Sequence, residues 1–176
     1  DFISHNRRLM ADRDLPNKIR EGREEDIAPC TACMICFDRV EHGLTPKCRI
    51  NAALGREREY EIRPTVRKKK VMIIGGGPAA LEAARVAALR GHDVSLYEKM
   101  GKLGGSMLIA AVVKGVERED LPGFIRYYET QMKKLGIRVI LRTEVTPELV
   151  ARVNPDVLLV CAGGRHNIPD IPGIKT

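Results

Sequence analysis

Aromatic side chains are scarce in this chain of 176 residues, at 4%, and no run of about 18 apolar residues occurs in it. The missing apolar run argues against a helical membrane span. The scarcity of aromatics leaves few of the stacking platforms on which single-stranded nucleic acid is held. The first residues, Asp1-Phe2-Ile3-Ser4-His5-Asn6-Arg7-Arg8, have no basic stretch leading into an apolar core and no initiator methionine. Neither an internal repeat nor a low-complexity tract is present. Thirty Lys and Arg against 23 Asp and Glu leave a net charge of +7, but the cations are spread along the chain. The densest run, Arg67-Lys68-Lys69-Lys70, follows Pro64 and precedes an apolar strand, as a solvated linker would. The expectation is a soluble, cytoplasmic chain cut from something longer, with no nucleic-acid or membrane partner. Nothing in it speaks against a homo-oligomer.

Five cysteines are few for a disulfide scaffold, yet Cys30, Cys33, Cys36 and Cys48 fall within nineteen positions. Before them, Leu15 to Glu21, with Asp14 as N-cap and Gly22 behind, predicts a short helix, and residues 1–4 suit the end of a strand. From Cys30 to about Ile62 little helical or strand period is visible beyond a turn at Asn51 to Leu54. A loop of that length needs a ligand or a function to hold it.

From Val71 the pattern becomes an α/β alternation. Strand Val71 to Ile74, helix Pro78 to Arg90 stopped by Gly91, and strand Val94 to Glu98 make a βαβ unit. A helix over Asp120 to Leu135 stopped by Gly136, strand Val139 to Leu141, helix Pro147 to Val153 and strand Val157 to Cys161 follow. Strands separated by helices predict an α/β fold: a parallel Rossmann-type sheet with helices on both faces, preceded by the cysteine-rich segment.

The cysteine spacing is Cys-x2-Cys-x2-Cys-x11-Cys. A 4Fe-4S cubane takes four thiolates at the corners of a tetrahedron, each on its own iron, and three crowded cysteines with a returning fourth can supply them. Structural zinc usually takes two separated Cys-x2-Cys pairs, of which the second is absent. The reading is therefore a 4Fe-4S site at Cys30, Cys33, Cys36 and Cys48, with zinc and unrelated free thiols as the alternatives. Cys161 ends the apolar strand Leu158-Leu159-Val160 and reads as a packed thiol. His5, His42, His92 and His166 are isolated and read as surface or loop residues. His42 alone lies inside the cysteine loop.

Strand Val71 to Ile74 runs into Gly75-Gly76-Gly77-Pro78-Ala79-Ala80, which matches G-x-G-x-x-G/A with Ala80 third, and Glu98 follows at the end of the next strand. Gly75 would make the tight turn. Gly77 would let backbone N–H groups at the positive N-terminus of the helix that Pro78 and Ala79 open approach a pyrophosphate, and Ala80 would allow close helix-strand packing. Glu98, with Lys99 beside it, would face a ribose. Gly104 and Gly105, after Leu103, and Ala162 and Gly163, after Cys161, would bring further backbone to the same ligand, a pattern that points to FAD. No side chain is assigned as catalytic acid, base or nucleophile. Glu21, Glu24 and Glu25 read as a solvated face.

A cysteine loop, a basic linker and a flavin-type Rossmann unit, in that order, resemble the iron-sulfur flavoenzymes of the old yellow enzyme group. That group includes trimethylamine dehydrogenase, 2,4-dienoyl-CoA reductase and 2-enoate reductase, and the likeness is to the 2-enoate reductase branch. It covers essentially the whole chain and includes Leu15-Pro16-Asn17-Lys18 through Gly22-Arg23, then Asp26-Ile27-Ala28-Pro29-Cys30. The resemblance implies that residues 1–29 end an FMN-binding TIM barrel, that 30–66 carry the cluster and linker, and that 67–176 begin the FAD domain. Residues Asp1 to Arg8 would be the last barrel strand and its loop. Arg7 then stands where the family holds the FMN phosphate, with Asn6 where it often has glycine. It further implies electron flow from NAD(P)H to FAD, to the cluster, to FMN and to an activated carbon-carbon double bond. The rest of the barrel and the NAD(P)H-binding domain would be parts of the same enzyme, and this segment alone would be inactive. Two other readings differ in ligand: ADP as a structural nucleotide in an amine-dehydrogenase segment, and a zinc-stapled, non-enzymatic nucleotide-binding module.

Overall fold

The computed structural model describes residues 4–114, 119–164 and 171. The expected strand at 1–4 lies, Ser4 apart, outside the described residues, as do His166 and the Pro172-Gly173-Ile174 stretch. In chain order the elements are α1 Arg7–Ala11, α2 Leu15–Arg20, a 3-10 turn Glu24–Asp26, α3 Ile35–Glu41, β1 Lys70–Ile74, α4 Pro78–Leu89, β2 Asp93–Tyr97, α5 Ser106–Lys114, α6 Leu121–Lys134, β3 Arg138–Ile140, α7 Pro147–Val153 and β4 Val157–Val160.

The four strands form one parallel sheet in the order β3-β2-β1-β4. Val71 pairs with Val94 and Val157, and Ile73 with Leu96 and Leu159. Because strand side chains alternate, these residues share one face. That face meets Leu81 and Ala84 of α4 and Phe124, Tyr128 and Met132 of α6 in the main core. On the opposite face Met72 and Ser95 are buried, while Leu158 and Val160 of β4 stay exposed. The α/β fold class and parallel sheet expected from the strand-helix alternation are what the chain adopts.

Local chemistry sets the helix limits. Proline begins α4, where its missing N–H costs nothing, and left-handed Gly91 follows its end. Asp120 caps α6 by accepting from the Gly123 N–H at 2.7 Å. Tyr128 ties α6 to α4 by donating to Glu82 at 2.9 Å. Burial, then the Glu82 carboxylate, holds the Tyr128 hydroxyl well above the usual phenol range. Three helices were not foreseen. The cysteine segment contains α3, which breaks the expectation of a loop without period. Residues 7–11 form α1, so Arg7 opens a helix rather than lying in a loop. The third, α5, is apolar almost throughout (Ser106-Met107-Leu108-Ile109-Ala110-Ala111-Val112-Val113-Lys114), so its sequence has no polar face to betray a helical period. Asp14 precedes α2 without a capping hydrogen bond; its carboxylate accepts instead from the Asn17 amide at 2.7 Å.

The N-terminal segment is held to α6 by charge. Lys134 donates to Glu25 at 2.7 Å and to Asp26 at 2.9 Å, and Gln131 donates to Asp26 at 3.0 Å. The Lys134 hydrogen bond holds the Glu25 carboxyl below its ordinary range. For Asp26, partial burial pushes upward, but the hydrogen bonds from Lys134 and Gln131 prevail and the carboxyl also lies low. Carboxyls lowered in the folded state contribute stability that is present above their unfolded values and is lost as pH falls through the folded ones. Urea midpoints are therefore expected to fall on acidification below the ordinary carboxylate range, and Lys134→Met is expected to flatten that dependence. A Lys134→Met slope equal to that of the parent would refute the assignment.

Candidate functional site

In the sheet order, β1 is flanked on one side by β2 and on the other by β4, so the chain changes direction between β1 and β4. Ligands of open α/β sheets sit outside the carboxyl ends of the strands at such a switch point. Gly75 leaves β1 there and Cys161 leaves β4. The two touch: a Cβ on Gly75 would collide with the Cys161 carbonyl oxygen and lie 2.9 Å from its carbon, and Gly75 has φ +109. A third loop joins them, because the Gly104 N–H donates to the Gly76 carbonyl at 2.8 Å. A Cβ on Gly105 would lie 3.1 Å from the Gly77 Cα. Gly75 to Gly77, Gly104 to Gly105, and Cys161 to Gly163 thus line one cradle. The cradle has room in it, since a Cβ added to Gly77 or Gly163 would meet no atom of the described residues within 4 Å.

Each motif residue has a definite place around this cradle. Gly77 precedes α4 with no side-chain cap and Pro78 opens the helix, so the first-turn amides are left to a ligand at the positive end of the dipole. Ala79 is exposed at the mouth, and Ala80 is fully buried against the sheet. Glu98 is only 7% exposed. Its two oxygens accept from the Gly76 N–H at 2.6 Å and the Met100 N–H at 2.7 Å, so it braces the loop. A carboxylate oxygen with one donor keeps a second lone pair for a hydroxyl. Lys99, Ala162 and Gly163 are exposed at the rim. Arg7 lies apart, exposed, with its guanidinium on the Met34 sulfur at 2.7 Å.

Two features were not legible in the motif. Gly76 is buried, and any side chain there would strike Glu98 and Leu103 at 2.9 Å, although the motif leaves its position open. Arg142, left-handed at φ 53, donates its N–H to Met100 at 3.0 Å. Its Nε would lie 3.2 Å from a Cβ on Gly101, so its guanidinium packs over the loop that follows Glu98. No sequence signal marked it.

Among the cysteines, Cys36 is buried in α3, and Cys30, Cys33 and Cys48 are half-buried. The Cys48 sulfur accepts from the Ile50 N–H at 3.4 Å. Among the described residues no three His, Cys, Asp or Glu side chains gather closely enough to hold a metal ion. A cubane takes each thiolate on a separate iron, and the segment fits such a group in other respects. Thr31, between Cys30 and Cys33, is 1% exposed and its hydroxyl has no hydrogen-bond partner among the described residues, an orphan that calls for an unseen neighbour. Ala32 and Met34, flanking Cys33, are both left-handed, the kind of backbone strain that persists where a ligand is clamped. Cys161 packs against the main core, as a structural thiol should. His42 is exposed and bonded to Asp38.

With the geometry in view, comparison with known proteins places the chain. Residues 69–176 match the pyridine nucleotide-disulphide oxidoreductase family. The cinnamate reductase of Clostridium sporogenes is 37% identical over 174 residues, covering 98% of this chain and 26% of that protein. The solved structure of 2-naphthoyl-CoA reductase with 2-naphthoyl-CoA superposes with a TM-score of 0.90 at 41% identity, over 96% of this chain and 26% of the other. Histamine dehydrogenase from Rhizobium sp. 4-9 gives 0.87 at 27% identity, over 97% and 27%. The chain thus spans about a quarter of the length of these relatives. Among the described residues no helix is long and apolar enough to cross a membrane. The resemblance to the iron-sulfur flavoenzymes of the old yellow enzyme group is borne out, and through residues 69–176 the chain belongs to the pyridine nucleotide-disulphide oxidoreductase family.

Proposed function

We propose that this chain is the electron-transfer segment of a cytoplasmic, NAD(P)H-dependent flavin and iron-sulfur oxidoreductase that reduces an activated carbon-carbon double bond. The observation that carries the reading is the meeting of three backbone loops at the switch point, Gly75 to Gly77, Gly104 to Gly105 and Cys161 to Gly163, with open space over Gly77. The likeness to cinnamate reductase and 2-naphthoyl-CoA reductase supports the choice of substrate class.

In this reading Gly75, Gly77, Pro78, Ala79 and Ala80 present the first turn of α4 to the pyrophosphate of FAD. Glu98 and Lys99 orient the adenosine ribose, and Gly104, Gly105, Ala162 and Gly163 close backbone around the ligand. Cys30, Cys33, Cys36 and Cys48 hold a 4Fe-4S cluster. When bound, the two groups supply complementary chemistry, since flavin takes a hydride as an electron pair and a 4Fe-4S cluster passes electrons singly. The protein's part is to bind, orient and exclude water; no side chain in these residues acts as acid or base. Residues 1–29 end the FMN barrel, with Arg7 toward the FMN phosphate, residues 30–66 carry the cluster, and residues 67–176 begin the FAD domain. FMN and NAD(P)H belong to the remainder of the enzyme.

Anaerobic purification followed by metal, sulfide and flavin quantitation on one sample tests this. Iron and acid-labile sulfide in equal amounts, with flavin bands at roughly 380 and 450 nm, are expected. Zinc without sulfide would overturn the cluster assignment and leave a zinc-stapled nucleotide-binding module. A second reading, an amine-dehydrogenase segment with ADP as a structural nucleotide, draws on the likeness to histamine dehydrogenase. Cluster present, with ADP and no FAD among the nucleotides released on denaturation, would select it.

A further inference from the structure

The cysteine segment is fastened on both sides. Before Cys30, Glu25 and Asp26 take Lys134 of α6. Around the first three cysteines, Met34, Phe37, Val40 and Leu44 are exposed, and at Cys48 the chain is held again. Ile50 packs against the main core. Arg49 donates to Glu119 at 2.8 Å, just before the start of α6. Asn51 donates to the Met10 carbonyl at 3.0 Å while accepting from the Ala53 N–H at 3.1 Å. Glu119 is 11% exposed at its side chain against 48% for Arg49, so the pair is shielded on the carboxylate side. α6 leads from there to the cradle, because a Cβ on Gly104 would lie 3.0 Å from the Ile125 side chain.

We propose that Arg49 is a positioning residue: it ties the Cys48 segment to Glu119 beside the start of α6 while Ile50 packs on the main core, so the Cys48 end of the cysteine segment is held at a fixed spacing from the nucleotide cradle. The proposal deepens the reading of Cys48 as a cluster ligand and rests on it for its functional meaning. Arg49 touches no reacting group. It acts through Cys48, whose sulfur takes the Ile50 N–H that the clamp holds in place.

The test compares the full-length enzyme with Arg49→Ala and with the charge exchange Arg49→Glu plus Glu119→Arg. Hydrogen exchange of the peptide spanning residues 48–51 is expected to speed up about fivefold in Arg49→Ala, the scale of one partly shielded ion pair. The charge exchange is expected to return it toward the parent rate. In the same samples the line shape of the reduced iron-sulfur electron paramagnetic resonance signal should broaden in Arg49→Ala and recover in the charge exchange, a response that loosening elsewhere would not give. Unchanged exchange and line shape in Arg49→Ala would overturn the proposal. A parent enzyme without sulfide would instead remove the cluster reading, and the exchange rates would still decide whether Arg49 clamps the segment.

Discussion

Gly75→Ala is expected to empty the nucleotide cradle and to lower folding stability by roughly 2–5 kcal/mol, the sum of left-handed backbone strain and a forced contact. Both parts have a visible source. Gly75 has φ +109, and the added methyl would drive into the Cys161 carbonyl. That contact joins β1 to β4 at the switch point, so the cradle cannot relax without parting two paired strands. Gly77→Ala provides the contrast. Its Cβ would meet no atom of the described residues within 4 Å, and the backbone there is not left-handed. Stability close to the parent with reduced nucleotide content is expected, because the methyl would occupy the space kept for the ligand. Thermal unfolding and bound-nucleotide assay of both variants check the pair. Full nucleotide content in both would mean that the ligand does not lie over this loop.

Cys48→Ser is expected to abolish acid-labile sulfide almost completely while leaving flavin content near that of the parent. A serine hydroxyl is far less acidic than a thiol and so is a much poorer ligand for iron at neutral pH, and weakening one corner of four destabilises the cubane. Since ligand binding to the folded state adds to stability, the variant should also melt lower. Cys161→Ser is the control: its thiol packs with the sheet core and lies outside the cysteine segment, so sulfide should be retained. Iron and sulfide quantitation after anaerobic purification reads both. Undiminished sulfide in Cys48→Ser would take Cys48 out of the ligand set.

Most of the Rossmann unit was legible because its signals are local. β1, α4, β2, α6, α7 and β4 lie within a residue or two of their expected limits, since apolar runs, a proline at the helix start and glycine after the helix end act over a few positions. Short-range signals failed where local pattern was weak. α3 is two turns inside a segment dominated by cysteine spacing, and α5 has no polar face. The candidate site divides in the same way. Gly75, Gly77, Ala80 and Glu98 were singled out from spacing alone, but the burial of Gly76 depends on Glu98 swinging back to its N–H. The packing of Arg142 over Gly101 depends on β3 lying beside β2.

By itself the sequence determined the strand-helix alternation, the glycine motif with its acid, and the close spacing of three cysteines with a returning fourth. All of these are relations between residues near one another along the chain. Only the tertiary structure decided that Cys161 closes on Gly75, that Gly105 closes on Gly77, and that the Cys48 end is held to Glu119 beside α6 through Arg49 and to the main core through Ile50. Those contacts arise from the register of parallel strands and from an ion pair between distant segments. Their partners are chosen by packing in three dimensions, and no spacing along the chain encodes that choice.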